Sequence, residues 1–290
     1  MLSYANKYHL MLIGCGAMGG ALLRGWLSAQ VPGFKNITVI TPRQVSVDSF
    51  MHDERVVHFA TLSDFLKSLE DKSSKEFWPD ILVYAAKPHM TSRILPDYKN
   101  ICTSQTTFLT VAAGKGLSHY QELLGEGPAL VRAMPNTPSA IGKGVSLLIS
   151  SVTSPLAQEK KKQVTSLMDS VGSSYWCASE DEFDRATTLS GCGPAYVFAI
   201  VEALEEAARS LGLSQEMAQN LTYETFQGAL SYLASNNRTA ADLREEVTSP
   251  GGVTQAALSI LQGTEGLNSL FCNALQKAYQ RALDFREPSS

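Results

Sequence analysis

One stretch near the end of the chain combines residue types that suit anion binding. Residues 243–258 read LREEVTSPGGVTQAAL, which predicts the end of one helix, a tight turn and the start of a second helix. Two glycines remove side chains from the turn, so the bare N–H groups of the second helix can hold a carboxylate or a phosphate. Ser249 and Thr254 add hydroxyl groups on either side. The same residues are also typical of an ordinary capped turn between helices, so this stretch alone does not define a site.

A second glycine-rich stretch lies near the beginning of the chain. The apolar run His9–Ile13 is followed by Gly14-Cys15-Gly16-Ala17-Met18-Gly19 and then by apolar residues with helical spacing. Strand, Gly-x-Gly-x-x-Gly and helix in this order are typical of dinucleotide binding. We expect Gly14 to allow a tight turn, Gly16 to let the pyrophosphate approach the backbone, and Gly19 to let helix and strand pack closely.

The next predicted strand, Ile37–Ile40, ends in Thr41-Pro42-Arg43. A site specific for NAD normally has an acidic residue here, which accepts hydrogen bonds from the ribose 2′-OH. This chain has none, and Thr41 with Arg43 can instead hold a 2′-phosphate. The pattern therefore favours NADPH, with NADH as the second choice, although an exposed arginine in a loop is also common.

Further strands are predicted along the first part of the chain, separated by helical or polar segments. They are Val56–Phe59, Ile81–Ala86, Thr107–Ala112, Ala129–Met134, Val145–Ile149 and Tyr175–Cys177. This alternation is typical of a mostly parallel sheet covered on both faces. Two strand ends carry small residues, Ala85-Ala86-Lys87-Pro88 and Val111-Ala112-Ala113-Gly114, and a stiff loop follows at Arg132–Pro138. Each of these three segments alone is typical of an ordinary turn. Because they converge on one edge of the sheet, together they predict a binding site.

The last part of the chain is predicted to be helical. Ser179 and Glu182 match a capping box, Ala195–Val201 is apolar nearly all round, and the last helix spans roughly Gly266 to Phe285. A helix without a polar face is buried either centrally or against another subunit. So much apolar helical surface indicates an intertwined dimer, with a single compact helical domain as the alternative.

These patterns predict an α/β fold class with two domains. Residues 1–178 form an NAD(P)-binding domain with a Rossmann-type, doubly wound, mostly parallel sheet. Residues 179–290 form an all-α domain for substrate binding and dimerisation.

Composition excludes several other classes of protein. A net charge of −4 over 290 residues gives no reason to expect a nucleic-acid partner. We see no leader segment, and no apolar run approaches the ~20 residues that cross a bilayer. The five cysteines are scattered, without a Cys-x-x-Cys pair or a Cys/His cluster of metal-binding spacing. We expect a cytoplasmic protein without a metal or a membrane partner.

The residues also narrow the chemistry. We find no Ser/His/Asp set, no paired carboxylates and no activated thiol, and hydride transfer between a nicotinamide and a substrate needs none of them. An alcohol substrate would require a base to take the hydroxyl proton, whereas an imine nitrogen can arrive already protonated. We therefore expect a reductase acting on a C=N bond of a small carboxylated substrate, with Thr254 bonded to the nitrogen.

The sequence resembles the pyrroline-5-carboxylate reductase family over nearly its whole length. The motifs that carry the resemblance are Ile13–Gly19, Ala86-Lys87-Pro88, Ala112-Ala113-Gly114, Arg132–Pro138, Leu189–Tyr196 and, most specifically, Val247-Thr248-Ser249-Pro250-Gly251-Gly252-Val253-Thr254. The resemblance implies NAD(P)H-dependent reduction of 1-pyrroline-5-carboxylate to L-proline, the last step of proline biosynthesis. It also implies a homodimer built on the helical domain, with the active site shared across it, and in some members a decamer.

The resemblance implies roles for individual residues. The substrate carboxylate would bind Ser249 and the backbone of Gly251, Gly252 and Val253, while Thr254 approaches the ring nitrogen. The cofactor contacts that the family implies are Gly14, Cys15, Gly16, Ala17, Met18, Gly19, Ala86, Lys87, Pro88, Ala112 and Ala113.

Two features depart from the family pattern. Cys192 stands where the family commonly has a small hydroxyl residue, and the segment Lys67–Asp80 is longer than usual. Alternative interpretations are another NADP-dependent enzyme, such as an imine reductase or a β-hydroxyacid dehydrogenase, and a non-catalytic protein that senses nucleotides. The first alternative predicts a lysine or other acid on a helix and lacks the Ser-Pro-Gly-Gly turn. A turnover assay with NADPH distinguishes the second alternative, the nucleotide sensor, from an enzyme.

Overall fold

The computed structural model describes residues 8–29, 33–69, 78–151 and 156–286. The chain forms two compact units. The first contains the described residues up to Cys192 together with those from Arg281, and the second is Gly193–Gln280. Most of the long segment predicted at Lys67–Asp80 lies outside the described residues.

The first unit is built on one eight-stranded sheet. Its strands are β1 (Tyr8–Ile13), β2 (Phe34–Ile40), β3 (Val56–Phe59), β4 (Ile81–Tyr84), β5 (Thr107–Thr110), β6 (Ala129–Met134), β7 (Gly144–Ser150) and β8 (Gly172–Trp176). Their order is β3-β2-β1-β4-β5-β6-β7-β8, and every pair is parallel except β6 with β7. The predicted Rossmann-type, mostly parallel sheet is confirmed.

Two strands are shorter than the sequence predicts. The strand predicted at Ile81–Ala86 ends at Tyr84, and the one predicted at Thr107–Ala112 ends at Thr110. Tyr84 and Thr110 form the last register pair between these strands. The small apolar residues that follow leave the sheet at its carboxyl edge, so they extend the apolar pattern without extending the strands.

Helices cover both faces of this sheet. Those of the first unit are α1 (Ala17–Ser28), α2 (Leu62–Leu69), α3 (Thr91–Ile94), α4 (Leu117–Leu124), α5 (Gln158–Asp169) and α6 (Glu180–Ser190). On one face, Trp26 of α1 and Leu167 of α5 belong to a buried cluster with the sheet. On the other face, Phe65 of α2 and Tyr120 of α4 belong to a second cluster. The sheet is therefore the buried middle layer, as a parallel sheet requires.

Helix α6 is fastened to the sheet by a buried arginine. The Arg132 side chain on β6 lies 3.0 Å from Glu180 Oε1 and 3.8 Å from Asp184 Oδ1, and its guanidinium covers the Phe183 ring at 4.6 Å. Glu180 also accepts a hydrogen bond from the backbone N–H of Leu117 at the start of α4. These bonds explain why the compact division falls after α6, whereas the predicted domain boundary at residue 178 lies before it. As a division of function, that boundary stays a prediction.

The second unit consists of helices. They are α7 (Gly193–Ser210), α8 (Gln215–Ala234), α9 (Ala240–Glu246), α10 (Val253–Leu261) and α11 (Leu267–Arg286), of which the residues from Arg281 belong to the first unit. Ser214 caps α8 and accepts from the N–H of Met217. Thr239 and Asp242 form the complete capping box at the start of α9. Local cap signals thus set the helix starts.

This unit exposes many apolar side chains. No residue of α7 is buried within the chain, and Phe198 is 66% exposed. Leu230 of α8 and Leu270 of α11 are also more than half exposed. The apolar helix predicted around Ala195–Val201 is therefore not buried centrally, which leaves burial against another subunit as its explanation.

One helical segment that contributes to this apolar surface has the length and composition of a membrane-spanning helix. Among the described residues, the segment Glu180–Ser210 is long and apolar enough to span a bilayer by length and composition alone, which the sequence analysis did not anticipate. A turn at Gly191 and Cys192 interrupts it between α6 and α7. The apolar side of α7 is what a subunit interface would also require.

We expect Arg132→Met to destabilise the first unit strongly, because it removes the cation that faces the buried Asp184. Breaking a buried ion pair in this way costs about 3–5 kcal/mol. Urea unfolding followed by tryptophan fluorescence measures the change, since Trp26, Trp78 and Trp176 all lie in the first unit.

The control is Arg185→Met, which removes an exposed pair between Arg185 and Asp181 on the same helix. Exposed pairs contribute about 1 kcal/mol or less. Equal unfolding midpoints for the two variants would show that Arg132 does not hold α6.

Candidate functional site

The predicted cofactor residues of the first unit meet at one edge of the sheet. β1 lies between β2 and β4, and the chain leaves all three strands at the same end. The N–H of Gly14 donates to the carbonyl of Ile40 at 2.9 Å, and the N–H of Ala85 donates to that of Ile13 at 2.8 Å. The strand order reverses between β1 and β4, which is where open α/β sheets bind their ligands.

The three glycines of the first loop have different surroundings. Gly14 has a φ of 88°, a conformation that favours glycine, and a Cβ there would lie 3.0 Å from the nitrogen of Ala86. A Cβ on Gly19 would overlap the carbonyl oxygen of Gly14, so α1 can only lie this close to β1 without a side chain. A Cβ on Gly16 would meet nothing within 4 Å. The exposed side of Gly16 therefore faces open space in the described structure.

The start of α1 has no side-chain cap. Gly16 is the N-cap and supplies no side chain to bond the first N–H groups of the helix. The first turn carries no acidic residue. Ala17 is exposed, Met18 is half-buried and Cys15 is buried beneath the loop. Such a helix start attracts a phosphate through its N–H groups and its dipole.

Thr41 and Arg43 lie on the loop that follows β2. Thr41 is buried, and its carbonyl is 2.9 Å from Nε2 of His58 on β3. The hydroxyl of Ser46 donates to the carbonyl of Arg43 at 2.7 Å, which bends the loop back on itself. The thiol of Cys15 donates to the carbonyl of Ser46. The Arg43 side chain is left exposed at the carboxyl edge, with no acidic residue between 41 and 46.

The ends of β4 and β5 complete this edge. Ala86 is half-buried, while Lys87 and Pro88 are exposed at the start of a short 3₁₀ turn. The N–H of Ala112 lies 3.2 Å from the Thr110 hydroxyl oxygen, so its amide is held by its own strand end.

The residues after Ala112 meet the end of the last helix. Ala113 is exposed, and Gly114 has a φ of 90°. A Cβ on Gly114 would lie 3.5 Å from Cβ of Phe285 in α11. The guanidinium of Arg281 in turn lies 4.5 Å from the centre of the Phe285 ring.

The loop predicted at Arg132–Pro138 has a structural role in the described chain. Asn136 is buried, its side-chain NH₂ donates to the carbonyl of Ser190 at 2.9 Å, and its side-chain oxygen accepts from the N–H of Val145 at 2.9 Å. The loop therefore ties the start of β7 to the end of α6.

The second unit contains the predicted carboxylate seat. Gly251 has a φ of 70°, and Gly252 is the N-cap of α10, with its N–H donating to the carbonyl of Ser249 at 3.0 Å. No side chain caps α10 at Gly252, and Val253 is 91% exposed. Ser249 and Thr254 are both exposed beside this helix start. The four predicted substrate-binding residues and the predicted catalytic residue, Thr254, lie together in this turn.

Comparison with known proteins decides the family. A family model described as pyrroline-5-carboxylate reductase dimerisation matches residues 180–285. A pyrroline-5-carboxylate reductase from Pseudomonas aeruginosa is 34% identical over 208 residues, covering 72% of this chain and 75% of that relative. The chain belongs to the pyrroline-5-carboxylate reductase family.

Solved structures of this family share the whole fold. A pyrroline-5-carboxylate reductase from Coxiella burnetii has a TM-score of 0.84 at 32% identity and covers 98% of this chain and 100% of its own. A pyrroline carboxylate reductase from Plasmodium falciparum with NADP bound has a TM-score of 0.80 at 25% identity, covering 97% and 99%. Helices α7 to α10 and all but the last residue of α11 lie within the region that the family model names for dimerisation. The chain therefore carries the family's oligomerisation region.

Three of the five cysteine thiols, those of Cys15, Cys102 and Cys177, are held in the protonated form by burial. Burial raises the pKa of Cys15, and it raises the pKa of Cys102 to about 12. Burial also raises the pKa of Cys177. Across the described ranges, no group of three or more His, Cys, Asp or Glu side chains is placed to hold a metal ion.

The sequence analysis missed two side chains that shape these sites. His58 bonds the carbonyl of Thr41, and the side-chain oxygen of Gln255 accepts from the N–H of Gly251 at 2.6 Å. A polar residue near the end of β3 was a visible signal for His58. Gln255, the third residue of α10, occupies the position from which glutamine commonly reaches back to the start of a helix.

We expect Gly16→Ala to weaken NADP⁺ binding without destabilising the fold, because the new methyl group projects into open space beside the helix start. A loss of about tenfold corresponds to about 1.4 kcal/mol. Titration calorimetry with NADP⁺ and a thermal melt measure the two effects.

Gly20→Ala is the matched control, since its Cβ would meet only the Cys15 sulphur at 3.8 Å inside a helix that alanine favours. NADP⁺ affinity equal to wild type in both variants would exclude Gly16 from the binding surface.

Proposed function

We propose that this chain is an NAD(P)H-dependent pyrroline-5-carboxylate reductase. It reduces the C=N bond of 1-pyrroline-5-carboxylate and forms L-proline, the last step of proline biosynthesis. The family membership carries the proposal, and the open N-terminus of α10 in the Ser249–Thr254 turn gives it a physical basis. A helix start of this kind suits the carboxylate of the substrate.

The cofactor binds the carboxyl edge of the first unit in this proposal. The pyrophosphate lies on the helix start formed by Gly14, Cys15, Gly16, Ala17, Met18 and Gly19. The nicotinamide half follows the strand ends at Ala86, Lys87 and Pro88 and at Ala112 and Ala113. Thr41 and Arg43 hold the 2′-phosphate, which favours NADPH over NADH.

The substrate carboxylate binds the turn of the second unit. Ser249 offers its hydroxyl and Val253 its N–H. Gly251 and Gly252, whose N–H groups bond Gln255 and Ser249, form the bare backbone of the seat. Neither glycine has a side chain to cover that seat. The dipole of α10 adds a partial positive charge at the same place.

The chemistry then needs few protein groups. The reduced nicotinamide supplies a hydride to the carbon of the C=N bond when it is bound. The nitrogen arrives protonated and keeps its proton, becoming the secondary amine of proline. Thr254 hydrogen-bonds this nitrogen and orients the ring. This route needs no histidine or carboxylate base, because no hydroxyl proton has to be removed.

The assembly follows from the exposed helices. We infer a homodimer built on α7 to α11, in which the active site is shared between subunits, and some members of such a family assemble further into decamers. The cytoplasmic location stays a prediction from the sequence, as does the absence of nucleic-acid and membrane partners.

The test is oxidation of NADPH by the purified protein with 1-pyrroline-5-carboxylate, repeated with NADH. We expect saturable turnover and a lower KM for NADPH. No turnover with either cofactor, from protein shown to be folded and dimeric, would overturn the proposal. Other cyclic imines and a sensing role would then be examined.

We expect Thr254→Ala to lower kcat more than it weakens NADPH binding, because Thr254 contacts only the substrate. Loss of one hydrogen bond to a charged group corresponds to roughly tenfold or more in rate. Thr254→Ser keeps the hydroxyl and should retain most of the activity. Equal rates for the alanine variant and wild type would remove Thr254 from the mechanism.

We expect Arg43→Gln to raise KM for NADPH by roughly tenfold while leaving KM for NADH unchanged, because only NADPH carries the 2′-phosphate. The control is Arg93→Gln, at an exposed arginine of α3 outside the predicted site. Steady-state kinetics with both cofactors measures the ratio. A parallel rise in both KM values would show that Arg43 does not read the phosphate.

A further inference from the structure

The proposed carboxylate seat contains a hydrogen bond that the sequence pattern does not predict. The N–H of Gly251 donates to Oε1 of Gln255 at 2.6 Å, across the first turn of α10. Gly251 has a φ of 70°, and a Cβ placed on it would meet nothing within 4 Å. Neighbouring side chains therefore do not pack against this left-handed residue. The hydrogen bond that its N–H donates to Gln255 braces it instead.

This bond divides the N–H groups of the turn into two sets. Gly251 donates to Gln255, and Gly252 donates to the carbonyl of Ser249. Within the described residues 156–286, no acceptor bonds the N–H groups of Val253 and Thr254. These two belong to the first turn of the helix, where N–H groups have no partner within the helix itself. Together with the N–H of Gln255 itself, they are the donors left for a ligand.

Gln255 also determines the charge beside the start of α10. The first turn of α10 has no acidic side chain, and the Gln255 side-chain oxygen bonds Gly251, the residue before the N-cap. A glutamate would make the same bond to Gly251 and would interact favourably with the helix dipole. It would also place a negative charge beside a bound carboxylate, which repels it.

We propose that Gln255 is a positioning and specificity-determining residue of the carboxylate seat. Its side-chain oxygen fixes Gly251 and reserves the N–H groups of Val253 and Thr254 for the substrate, and its neutral amide keeps the seat free of negative charge. This inference rests on the proposed function, in which the substrate carboxylate lies at this turn.

The decisive variant is Gln255→Glu, because it keeps the shape and the acceptor and changes only the charge. We expect KM for 1-pyrroline-5-carboxylate to rise at least about tenfold, with kcat and KM for NADPH near wild type. We also expect the thermal midpoint to be equal or higher, since the new carboxylate favours the helix start. If Gln255 only stabilised the fold, its substitution would not raise KM for the substrate while leaving the thermal midpoint unchanged.

Two further variants distinguish the effect of the charge at residue 255 from the effect of the hydrogen bond to Gly251. Gln262→Glu adds the same charge at the other end of α10, where Gln262 is the C-cap, and should leave KM for the substrate unchanged. Gln255→Leu removes the brace without adding charge. At low salt, we expect the leucine variant to raise KM for 1-pyrroline-5-carboxylate less than the glutamate variant does. Added salt should shrink the penalty of the glutamate variant but not that of the leucine variant.

The outcomes distinguish this inference from the proposed function. Wild-type turnover combined with an unchanged substrate KM in Gln255→Glu would overturn the role of Gln255 alone. An equal rise in KM for Gln255→Glu and Gln262→Glu would overturn it too, because the effect would then be one of general charge. Absence of wild-type turnover would overturn the proposed function and this inference with it.

Discussion

The first unit depends on a close approach of two backbone segments at the start of α1. A side chain at Gly19 would overlap the carbonyl oxygen of Gly14, and one at Gly14 would press on Ala86 at the end of β4. Because both positions lack side chains, the helix begins directly at the carboxyl edge of the sheet, with its N–H groups pointing outward. The same approach leaves Gly16 facing open space. The open helix start that we propose for the dinucleotide is thus a consequence of how tightly strand, turn and helix pack.

Much of this architecture could be predicted from local patterns. Apolar runs located all eight strands, and short-range signals such as the Ser179–Glu182 capping pair located helix starts. Long-range features could not be predicted. The reversed direction of β7 depends on its pairing with β6, and the attachment of α6 depends on the contact of Arg132 with Asp184. Neither pairing leaves a periodic signal in the sequence. The ends of β4 and β5 were misplaced because small apolar residues continue the strand pattern beyond the last paired residue.

The candidate sites show the same division. The residue types of both glycine-rich turns were visible in the sequence, because a turn of this kind needs glycine at particular positions. Their supporting side chains were not visible. His58 reaches Thr41 from a neighbouring strand, and Gln255 reaches Gly251 from within the next helix. For the exposed apolar faces of α7 and α8, the need for a partner was visible in the sequence. The family comparison identifies this region as a dimerisation region.

The position of the last helical turn has a consequence for how the chain is made. Residues from Arg281 onward belong to the first unit, and Phe285 lies against Gly114 in the loop that follows β5. A chain emerging from the ribosome presents its N-terminal segments first. The sheet strands are therefore available long before Phe285 is. The loop after β5 receives this neighbour only when the entire helical unit has been translated. The last turn of α11 therefore completes a surface whose other residues were synthesised much earlier.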